Sequence, residues 1–254
     1  MTPVFRTLSR WWKVGRSHLV DVAFPPECAL CQIDLPDSGE LWCEPCRAKL
    51  TQEPTLRCAR CGAPAPLPIP TGERCPACVG TALAFDSIVV FGSYADGLRH
   101  AVLLMKRGQR EPLSLAMGRW LVTRLETDLR ALSIDTIVPV PMYWLRRLWR
   151  GTNNPDLLAE SLSNRLGVPF DPRCLVRVRS TEQQSLLPAS ERPANVRGAF
   201  RLRGSRDIAG KTLLVIDDIL TTGATCHEAA KVLKQAGAKA VHVCVVARAK
   251  SARS

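Results

Sequence analysis

Two acidic residues followed by a threonine- and glycine-rich turn mark the segment LLVIDDILTTGAT at residues 213–225. The apolar residues before them are typical of a strand buried in a parallel sheet, which places Asp217 and Asp218 at its carboxyl end, where α/β sheets bind ligands. The hydroxyls and N–H groups of the turn, just before a predicted helix, favour a phosphate dianion. Carboxylates can accept hydrogen bonds from sugar hydroxyls. Together with a phosphate-binding turn, they indicate a ribose 5-phosphate as the ligand. The alternative is an ordinary strand whose acids cap the next helix.

The candidate ligand residues of this segment fall into two groups with different roles. Asp217 and Asp218 are expected to hold the ribose hydroxyls and to act as the catalytic pair. The predicted phosphate-binding residues are Thr221, Thr222, Gly223, Ala224 and Thr225. The whole segment resembles the binding motif for phosphoribosyl pyrophosphate (PRPP) of type I phosphoribosyltransferases, and it matches that motif at every position.

Eleven cysteines are present, and eight of them form four C-x-x-C pairs. The pairs are Cys28/Cys31, Cys43/Cys46, Cys58/Cys61 and Cys75/Cys78. Each pair places two thiolates at a turn, so two pairs complete one closed tetrahedral zinc site and four pairs complete two structural sites. The region has few large apolar residues with which to fold in the absence of metal. Sequential pairing, Cys28–Cys46 for one ion and Cys58–Cys78 for the other, is favoured over interleaved pairing, which the spacing leaves open.

Disulfide bonds are the alternative explanation for these cysteines, but they require an oxidising compartment. No secretory signal is recognisable in residues 1–25, and no run reaches the roughly 18 apolar residues of a membrane span. A cytoplasmic protein without a transmembrane segment is therefore expected. The remaining cysteines lie in or beside apolar stretches and are predicted to pack as small buried hydrophobes. They are Cys174, Cys226 and Cys244.

Positive charge is concentrated in the second part of the chain. The formal net charge is +12, from 35 Lys and Arg against 23 Asp and Glu. Residues 1–85 carry 9 basic and 8 acidic residues, whereas residues 86–254 carry 26 and 15. The positive electrostatic potential of this part of the chain favours a polyanionic small molecule such as PRPP, and it favours nucleic acid equally well.

Strands and helices alternate from Phe85 onward, as expected for a mostly parallel sheet flanked by helices. Strands are predicted at 86–94, 136–140, 175–178, 211–216 and 241–246, and helices at 98–105, 113–132, 155–166 and 224–236. The polar stretch 179–195 is predicted to have little regular structure, as is typical of a lid. Residues 1–24 are predicted to form a basic amphipathic helix that packs on the protein or contacts a membrane surface or nucleic acid.

Several segments together resemble the ComF family, in which a zinc ribbon precedes a type I phosphoribosyltransferase domain. They are LVDVAFPPECALC at 19–31, SYADGLRHAVLLMKRG at 93–108, VPVPMYWLRRLWRGTNN at 138–154 and RPANVRGAF at 192–200. The resemblance implies the type I fold, structural zinc, and Mg²⁺ with PRPP. The resemblance covers about residues 19–248, and the changes of composition and pattern along the chain divide it into the segment 1–24, a double zinc-ribbon domain at 25–84 and a phosphoribosyltransferase-like domain at 85–254. The family pattern Arg-Gly-Phe-Asn-Gln is Arg-Gly-Thr-Asn-Asn here, so Thr152 and Asn154 depart from it.

Further residues are predicted to complete the ligand site. Pyrophosphate needs cationic partners, and the candidates are Lys106, Arg146, Arg147 and Arg150. The alternative for the arginines of WLRRLWR is a solvated basic helix face. The candidate lid residues, which would close over the site and exclude water, are Arg192, Asn195 and Arg197.

Two functions are consistent with these features. In the first, a transferase displaces pyrophosphate from C1′ of PRPP with a nitrogenous acceptor, and the acids and the turn position the ribose rather than react. In the second, the protein binds single-stranded nucleic acid or DNA-uptake proteins and keeps a PRPP pocket for sensing or by descent. Trp144 and Trp149, which lie among arginines, would then hold strands by stacking, although tryptophans in such settings also serve as packing residues.

Overall fold

The structure is a computed structural model that describes residues 26–36, 39–51, 55–69, 73–107, 110–204 and 206–249. The predicted amphipathic segment at residues 1–24 lies outside the described residues. The chain divides into two compact units, Met1–Thr51 and Gln52–Ser254. The second group of cysteine pairs therefore belongs to the same compact unit as the parallel sheet. The domain boundaries expected after residues 24 and 84 remain predictions.

A cysteine-rich turn and one short helix make up the described part of the first unit. Glu27 and Asp34 form an antiparallel bridge across the turn that carries the first C-x-x-C pair. Helix α1, Glu44–Leu50, has an acidic residue in its first turn and basic residues in its last turn, which suits the helix dipole. Its buried side chains are Cys46 and Leu50, so one of the cysteines also belongs to the small core.

Six strands and six α-helices make up the described part of the second unit. In chain order they are β1 (Ser87–Ser93), α2 (Asp96–Met105), α3 (Glu111–Arg130), β2 (Thr136–Pro139), α4 (Trp144–Arg150), α5 (Asn154–Leu166), β3 (Leu175–Arg177), α6 (Arg192–Val196), β4 (Phe200–Leu202), β5 (Thr212–Leu220), α7 (Ala224–Gln235) and β6 (Ala240–Arg248). In neither unit does a described helix have the length and apolar character needed to cross a membrane.

Four strands form a parallel sheet in the order β1-β6-β5-β2, which confirms the predicted fold class. The central strands are covered on both faces, since every residue of Thr212–Ile216 and of Val243–Arg248 is buried. Runs of Leu, Ile and Val satisfy this environment because no position faces water. At the carboxyl edge, Arg248 of β6 pairs in register with Leu220 of β5 on one side and with Ser93 of β1 on the other.

The region between β2 and β5 contains more regular structure than the sequence predicts. Helix α4 and strand β4 are absent from the predicted elements, and β4 pairs antiparallel with β3. Residues 179–195 hold a 3₁₀ turn at Gln184–Leu186 and most of α6. Strand β4, Phe200–Leu202, has an exposed arginine at its centre and no apolar run, unlike the LVRV sequence of β3, so its residues do not indicate a strand.

The second group of cysteine pairs packs against the edge strand β1. The backbone N–H of Ile88 donates to the carbonyl of Ala59 at 2.8 Å. Gly62, the residue after Cys61, has φ +71°, and a Cβ there would lie 2.6 Å from Cγ2 of Val90. Glycine at this position therefore allows both the left-handed backbone and the close approach of the cysteine turn to the sheet.

This close approach predicts a difference between two glycine substitutions. Gly80 has nearly the same backbone as Gly62, φ +74°, but no atom within 4 Å of a built Cβ, so Gly80→Ala is a matched control for backbone strain. Gly80→Ala should lower the free energy of unfolding by about 1 kcal/mol, and Gly62→Ala by a further amount on the order of 1–3 kcal/mol from overpacking. Urea denaturation of the zinc-loaded protein measures both. Equal losses for the two variants would contradict the packing described above.

Candidate ligand site and metal centres

Two adjacent carboxylates lie near the carboxyl end of β5. The backbone N–H of Asp218 donates to Oδ1 of Asp217 at 2.8 Å, and Lys106 Nζ lies 3.3 Å from Oδ2 of Asp218. Burial, together with the negative charge of Asp218, raises the pKa of Asp217 to about 8. Burial lowers the pKa of Lys106, but the two carboxylates outweigh it, and the net direction is upward. The pair thus forms an acidic centre with one direct counter-cation.

The predicted phosphate loop follows the acids and leads into α7. Gly223, with φ +82°, occupies the position before the helix, where a left-handed backbone favours glycine. The hydroxyl of Thr222 accepts a hydrogen bond from the N–H of Ala224 at 3.4 Å. A small cavity of about 20 Å³ is enclosed by residues 219–226 together with Asp217 and Gln184. The N–H groups of a helix start therefore surround a space beside the carboxylates, as a phosphate site requires.

A larger cavity of about 490 Å³ joins the acids to a group of cations. Asp217, Asp218, Thr221 and Thr225 line it on the side of β5 and α7. Its cationic lining residues are Lys106, Arg146, Arg177 and Arg192. These four come from the end of α2, from α4, from β3 and from α6, so residues far apart in the chain converge on one space. The cavity can hold a ligand that offers hydroxyls at one point and dense negative charge at others.

The structure separates the predicted pyrophosphate residues. Lys106 and Arg146 line the cavity, whereas Arg147 does not, because its guanidinium pairs with the carboxylate of Asp156 at 3.0 Å. The side chain of Arg150 lies outside the described residues. Arg147 therefore lies outside the cavity lining, and the assignment of the cations to pyrophosphate stays a prediction.

The predicted lid residues also lie in different places. Arg192 lines the cavity and donates through Nε to the carbonyl of Leu187 at 3.1 Å. Asn195 exchanges hydrogen bonds with the backbone of Glu182, at 3.1 and 3.0 Å, and so holds the segment together. Arg197 lines a separate, third cavity, of about 580 Å³.

One residue of the lid segment that sequence analysis does not name lies over the phosphate loop. Gln184 donates through Nε2 to the hydroxyl of Thr225 at 3.4 Å. It also borders both the small cavity and the larger one. A ligand phosphate in the loop would therefore meet this amide.

Arg177 is the main functional candidate that sequence analysis misses. It lies at the end of β3, its guanidinium stacks 5.4 Å from the centre of the Phe200 ring, and it donates to the hydroxyl of Thr181. Burial, followed by the charge of Arg146, lowers its pKa. The sequence feature that could have revealed Arg177 is its place inside the apolar strand LVRV. A charged side chain in such a strand indicates a polar partner or ligand, because burial of an unpaired charge is costly.

The turn that departs from the family pattern is built around a buried amide. Asn153 is buried and donates to the carbonyl of Val140 at 3.1 Å and to Asp156 at 2.8 Å, which ties the end of β2 to the start of α5. The Thr152 hydroxyl donates to Glu111 at 3.3 Å, and Asn154 lines the cavity. The smaller Thr152 therefore makes a polar contact with α3 at a position where the family pattern has an aromatic ring.

Eight cysteines form two compact clusters with the predicted sequential pairing. One contains Cys28, Cys31, Cys43 and Cys46, and the other contains Cys58, Cys61, Cys75 and Cys78. Within each cluster the Sγ atoms lie within 4.8 Å of one another, and the closest contacts measure 3.5 to 4.0 Å. A tetrahedral ion with Zn–S bonds of about 2.3 Å requires S–S separations of about 3.8 Å. The two clusters thus fit two structural zinc ions, and their sulfurs are too far apart for disulfide bonds, which measure about 2.05 Å.

Comparison with known proteins finds the same two parts. Residues 19–79 match the double zinc ribbon domain, and residues 157–254 match the phosphoribosyl transferase domain. The DNA utilization protein YhgH of Salmonella typhimurium is 33% identical over 229 residues, which cover 88% of this chain and 97% of that protein. Competence protein F of Haemophilus influenzae is 27% identical over 226 residues, 87% of this chain and 96% of that protein. Among solved structures, glutamine PRPP amidotransferase from B. subtilis aligns at 21% identity and a TM-score of 0.36, over 52% of this chain and 25% of that one.

Metal content distinguishes sequential from interleaved ligand pairing in solution. The intact protein should carry two zinc ions per chain. Replacing Cys28, Cys31, Cys43 and Cys46 together with Ser should leave one, because the other cluster is complete. The matched variant that replaces Cys28, Cys31, Cys58 and Cys61 removes half of each cluster and should retain none tightly. Elemental analysis after dialysis measures both, and the opposite outcome would show interleaved ligands.

Proposed function

The chain belongs to the ComF family, and from that premise we propose that the cavity of about 490 Å³ beside Asp217 and Asp218 binds PRPP with Mg²⁺, and that the protein transfers the phosphoribosyl group to a nitrogenous acceptor. The observation that carries this proposal is the convergence of two carboxylates, a phosphate loop and four cations on one space. Each of these matches one part of PRPP. The ribose hydroxyls, the 5′-phosphate and the diphosphate need different partners, and the cavity supplies all three.

The ribose would lie against Asp217 and Asp218. Ionised carboxylates are acceptors only, so they suit the 2′- and 3′-hydroxyls, which donate. The 5′-phosphate would then occupy the loop at 221–225, where the N–H groups at the start of α7 stabilise negative charge without a side-chain cation. Holding the ring at both points fixes C1′ as positive charge develops on it.

The diphosphate would face the cationic side of the cavity. Lys106, Arg146, Arg177 and Arg192 all line this space, and guanidinium groups bind phosphate oxygens in pairs. The carboxylate oxygens of Asp217 and Asp218 are of the hard type that Mg²⁺ takes, and bound Mg²⁺ would neutralise part of the diphosphate charge. In the transfer, the C1′–O bond breaks, its electron pair leaves with pyrophosphate, and the acceptor nitrogen forms the C1′–N bond.

The acceptor would bring its own lone pair. Apart from arginines, the titratable side chains of the described lining are Asp217, Asp218, Lys106 and Tyr94. The two acids are assigned to ribose, and Lys106 is paired with Asp218. An acceptor nitrogen that needs no deprotonation before attack therefore fits best, with its proton lost to water after the bond has formed.

Binding should release a proton. Asp217 has a pKa of about 8 in the free protein, so at pH 7 it carries its proton, yet it must be ionised to accept ribose hydroxyls. Calorimetry with Mg²⁺–PRPP at pH 7, in PIPES and in Tris buffer, should show release of about one proton per site. Affinity should rise with pH through the pKa, because the proton no longer has to be displaced. Heats that do not depend on the buffer would contradict this assignment.

Asp217→Asn keeps the shape of the side chain and removes its charge. We expect at least about tenfold weaker Mg²⁺–PRPP binding, roughly 1.4 kcal/mol, and loss of the proton release. Asp207→Asn, an exposed acid outside the cavity, serves as the control and should bind normally. Release of pyrophosphate from PRPP across a panel of bases and amines tests turnover. Unchanged binding in Asp217→Asn would reject the ribose assignment.

A second candidate function is binding of single-stranded nucleic acid on α4. Trp149 is 89% exposed and Trp144 is 57% exposed, so these side chains are not the packing residues that tryptophans usually are. Arg146 and Arg147 lie between them in the chain, and the named relatives are a DNA utilization protein and a competence protein. Exposed aromatic rings beside cations are the features that bind single strands by stacking and phosphate contact.

Trp149→Ala should weaken binding of a labelled single-stranded oligonucleotide by about 1–3 kcal/mol, because one stacking platform is lost. Leu148→Ala is the matched control, since Leu148 is 73% exposed on the same helix but has no aromatic face. The dependence of affinity on salt should stay unchanged in both variants, because no phosphate contact is removed. Fluorescence anisotropy measures these quantities. An equal effect of the two substitutions would argue against stacking.

A further inference from the structure

One buried guanidinium connects the second cysteine cluster to the phosphate loop. Arg248, the last residue of β6, is only 8% exposed. Its Nε donates to the carbonyl of Cys61 at 3.0 Å, and its Nη1 donates to the carbonyl of Leu220 at 3.2 Å and to that of Thr221. One side chain thus donates hydrogen bonds both to a predicted metal-ligand residue and to the junction between β5 and the phosphate loop.

A second connection runs through the segment between the cluster and β1. Arg60, between two cysteines of the cluster, donates to the carbonyl of Leu83 at 2.5 Å and to that of Phe85. A Cβ built on Gly223 would lie 3.4 Å from Leu83 Cδ2 and 3.9 Å from Phe85 Cε1, so these two side chains pack against the phosphate loop at Gly223. The intervening residue also takes part, because the N–H of Ala84 donates to Nδ1 of His227 on α7 at 3.0 Å.

The cysteines of this cluster depend on a bound metal ion for their conformation, because they have almost no apolar core of their own. Its buried residues are the four cysteines and Ala63, with Ile69 and Leu83 packed alongside. Without metal, the four close sulfurs have no large side chains of their own to hold them, and we expect the turn that carries the Cys61 carbonyl to shift. A buried guanidinium that loses an acceptor is costly, so Arg248 would then rearrange at its other end, which is the phosphate loop.

We propose that the metal of the second cluster holds the phosphate loop in its binding conformation through Arg248, so that zinc occupancy at Cys58, Cys61, Cys75 and Cys78 and PRPP binding are coupled. This inference rests on the proposed binding of PRPP. Arg248 is a positioning residue, since it reaches the loop carbonyls and not the cavity. The first cluster lies in the other compact unit and serves as an internal comparison.

Coupling of this kind is reciprocal: if bound zinc increases the affinity for PRPP, then bound PRPP must increase the affinity for zinc by the same factor. PRPP should therefore slow the loss of one of the two zinc ions and leave the other unaffected. Loss of zinc from the second cluster, by chelation or by thiol oxidation, should conversely weaken PRPP binding. The same loss from the first cluster should not.

Substitution of Arg248 tests the connection directly. Arg248→Met should weaken Mg²⁺–PRPP binding by at least about tenfold in calorimetry while the protein keeps two zinc ions, and Arg248→Lys should recover part of the loss. Arg57→Met is the matched control. Arg57 donates to the carbonyl of Gly62 at 3.1 Å and to the hydroxyl of Ser93 at 2.8 Å, so it anchors the same turn to β1 instead of the loop. Equal affinities for Arg248→Met and Arg57→Met would overturn the proposal.

Zinc release from the unsubstituted chain supplies a second readout that does not depend on a variant folding. With a zinc-selective chelator in excess, Mg²⁺–PRPP should slow release of one ion per chain by at least about fivefold. The variant that replaces all four cysteines of the first cluster with Ser should keep this protected ion. If the unsubstituted protein does not bind Mg²⁺–PRPP in calorimetry, the proposed function and the coupling both fail. If it binds and zinc release is unchanged, only the coupling fails.

Discussion

Main-chain hydrogen bonds between β5 and β6 set the positions on which the chemistry of this protein depends. Their register pairs Asp217 with Val245 and Leu220 with Arg248, so the acids, the start of the phosphate loop and the buried arginine reach the same edge of the sheet. A shift of one residue would turn each of these side chains to the opposite face. The central residues of both strands are packed on both faces, so side chains moved to the opposite face would no longer fit their neighbours, and the apolar core thereby fixes the geometry of a polar site.

Charge in the cavity is balanced by groups from many elements rather than by local pairs. Burial, together with the repulsion between two adjacent carboxylates, raises the pKa of Asp217, so that this acid holds its proton near neutral pH. The cations that would offset this repulsion come from the end of α2, from α4, from β3 and from α6, and of these four described residues only Lys106 forms an ion pair with one of the two acids. The remaining positive charge is available for a ligand. A molecule with hydroxyls at one end and phosphates elsewhere suits this cavity better than a simple anion does, because its hydroxyls can donate to the acids while its phosphates pair with the arginines.

Sequence reasoning works where a signal is local and fails where it depends on distant pairing. The strand, turn and helix around Asp217 are encoded by consecutive residues, and the cysteine clusters by fixed spacing. Arg146 and Arg147 look equivalent in sequence, but neighbouring helix positions point about 100° apart, so one faces the cavity while the other pairs with Asp156. Arg177 and Arg248 owe their roles to the strands beside them, which come from other parts of the chain.

The boundary between the compact units has a bearing on how such chains can recombine. An exchange between related genes at residues 51 and 52 would transfer a whole module with its own cysteine cluster. A crossover between Arg60 and Phe85 would instead join a cysteine turn from one ancestor to a phosphate loop from another. The residues that meet there, among them Leu83, Gly223 and Arg248, are therefore expected to be inherited and to change together.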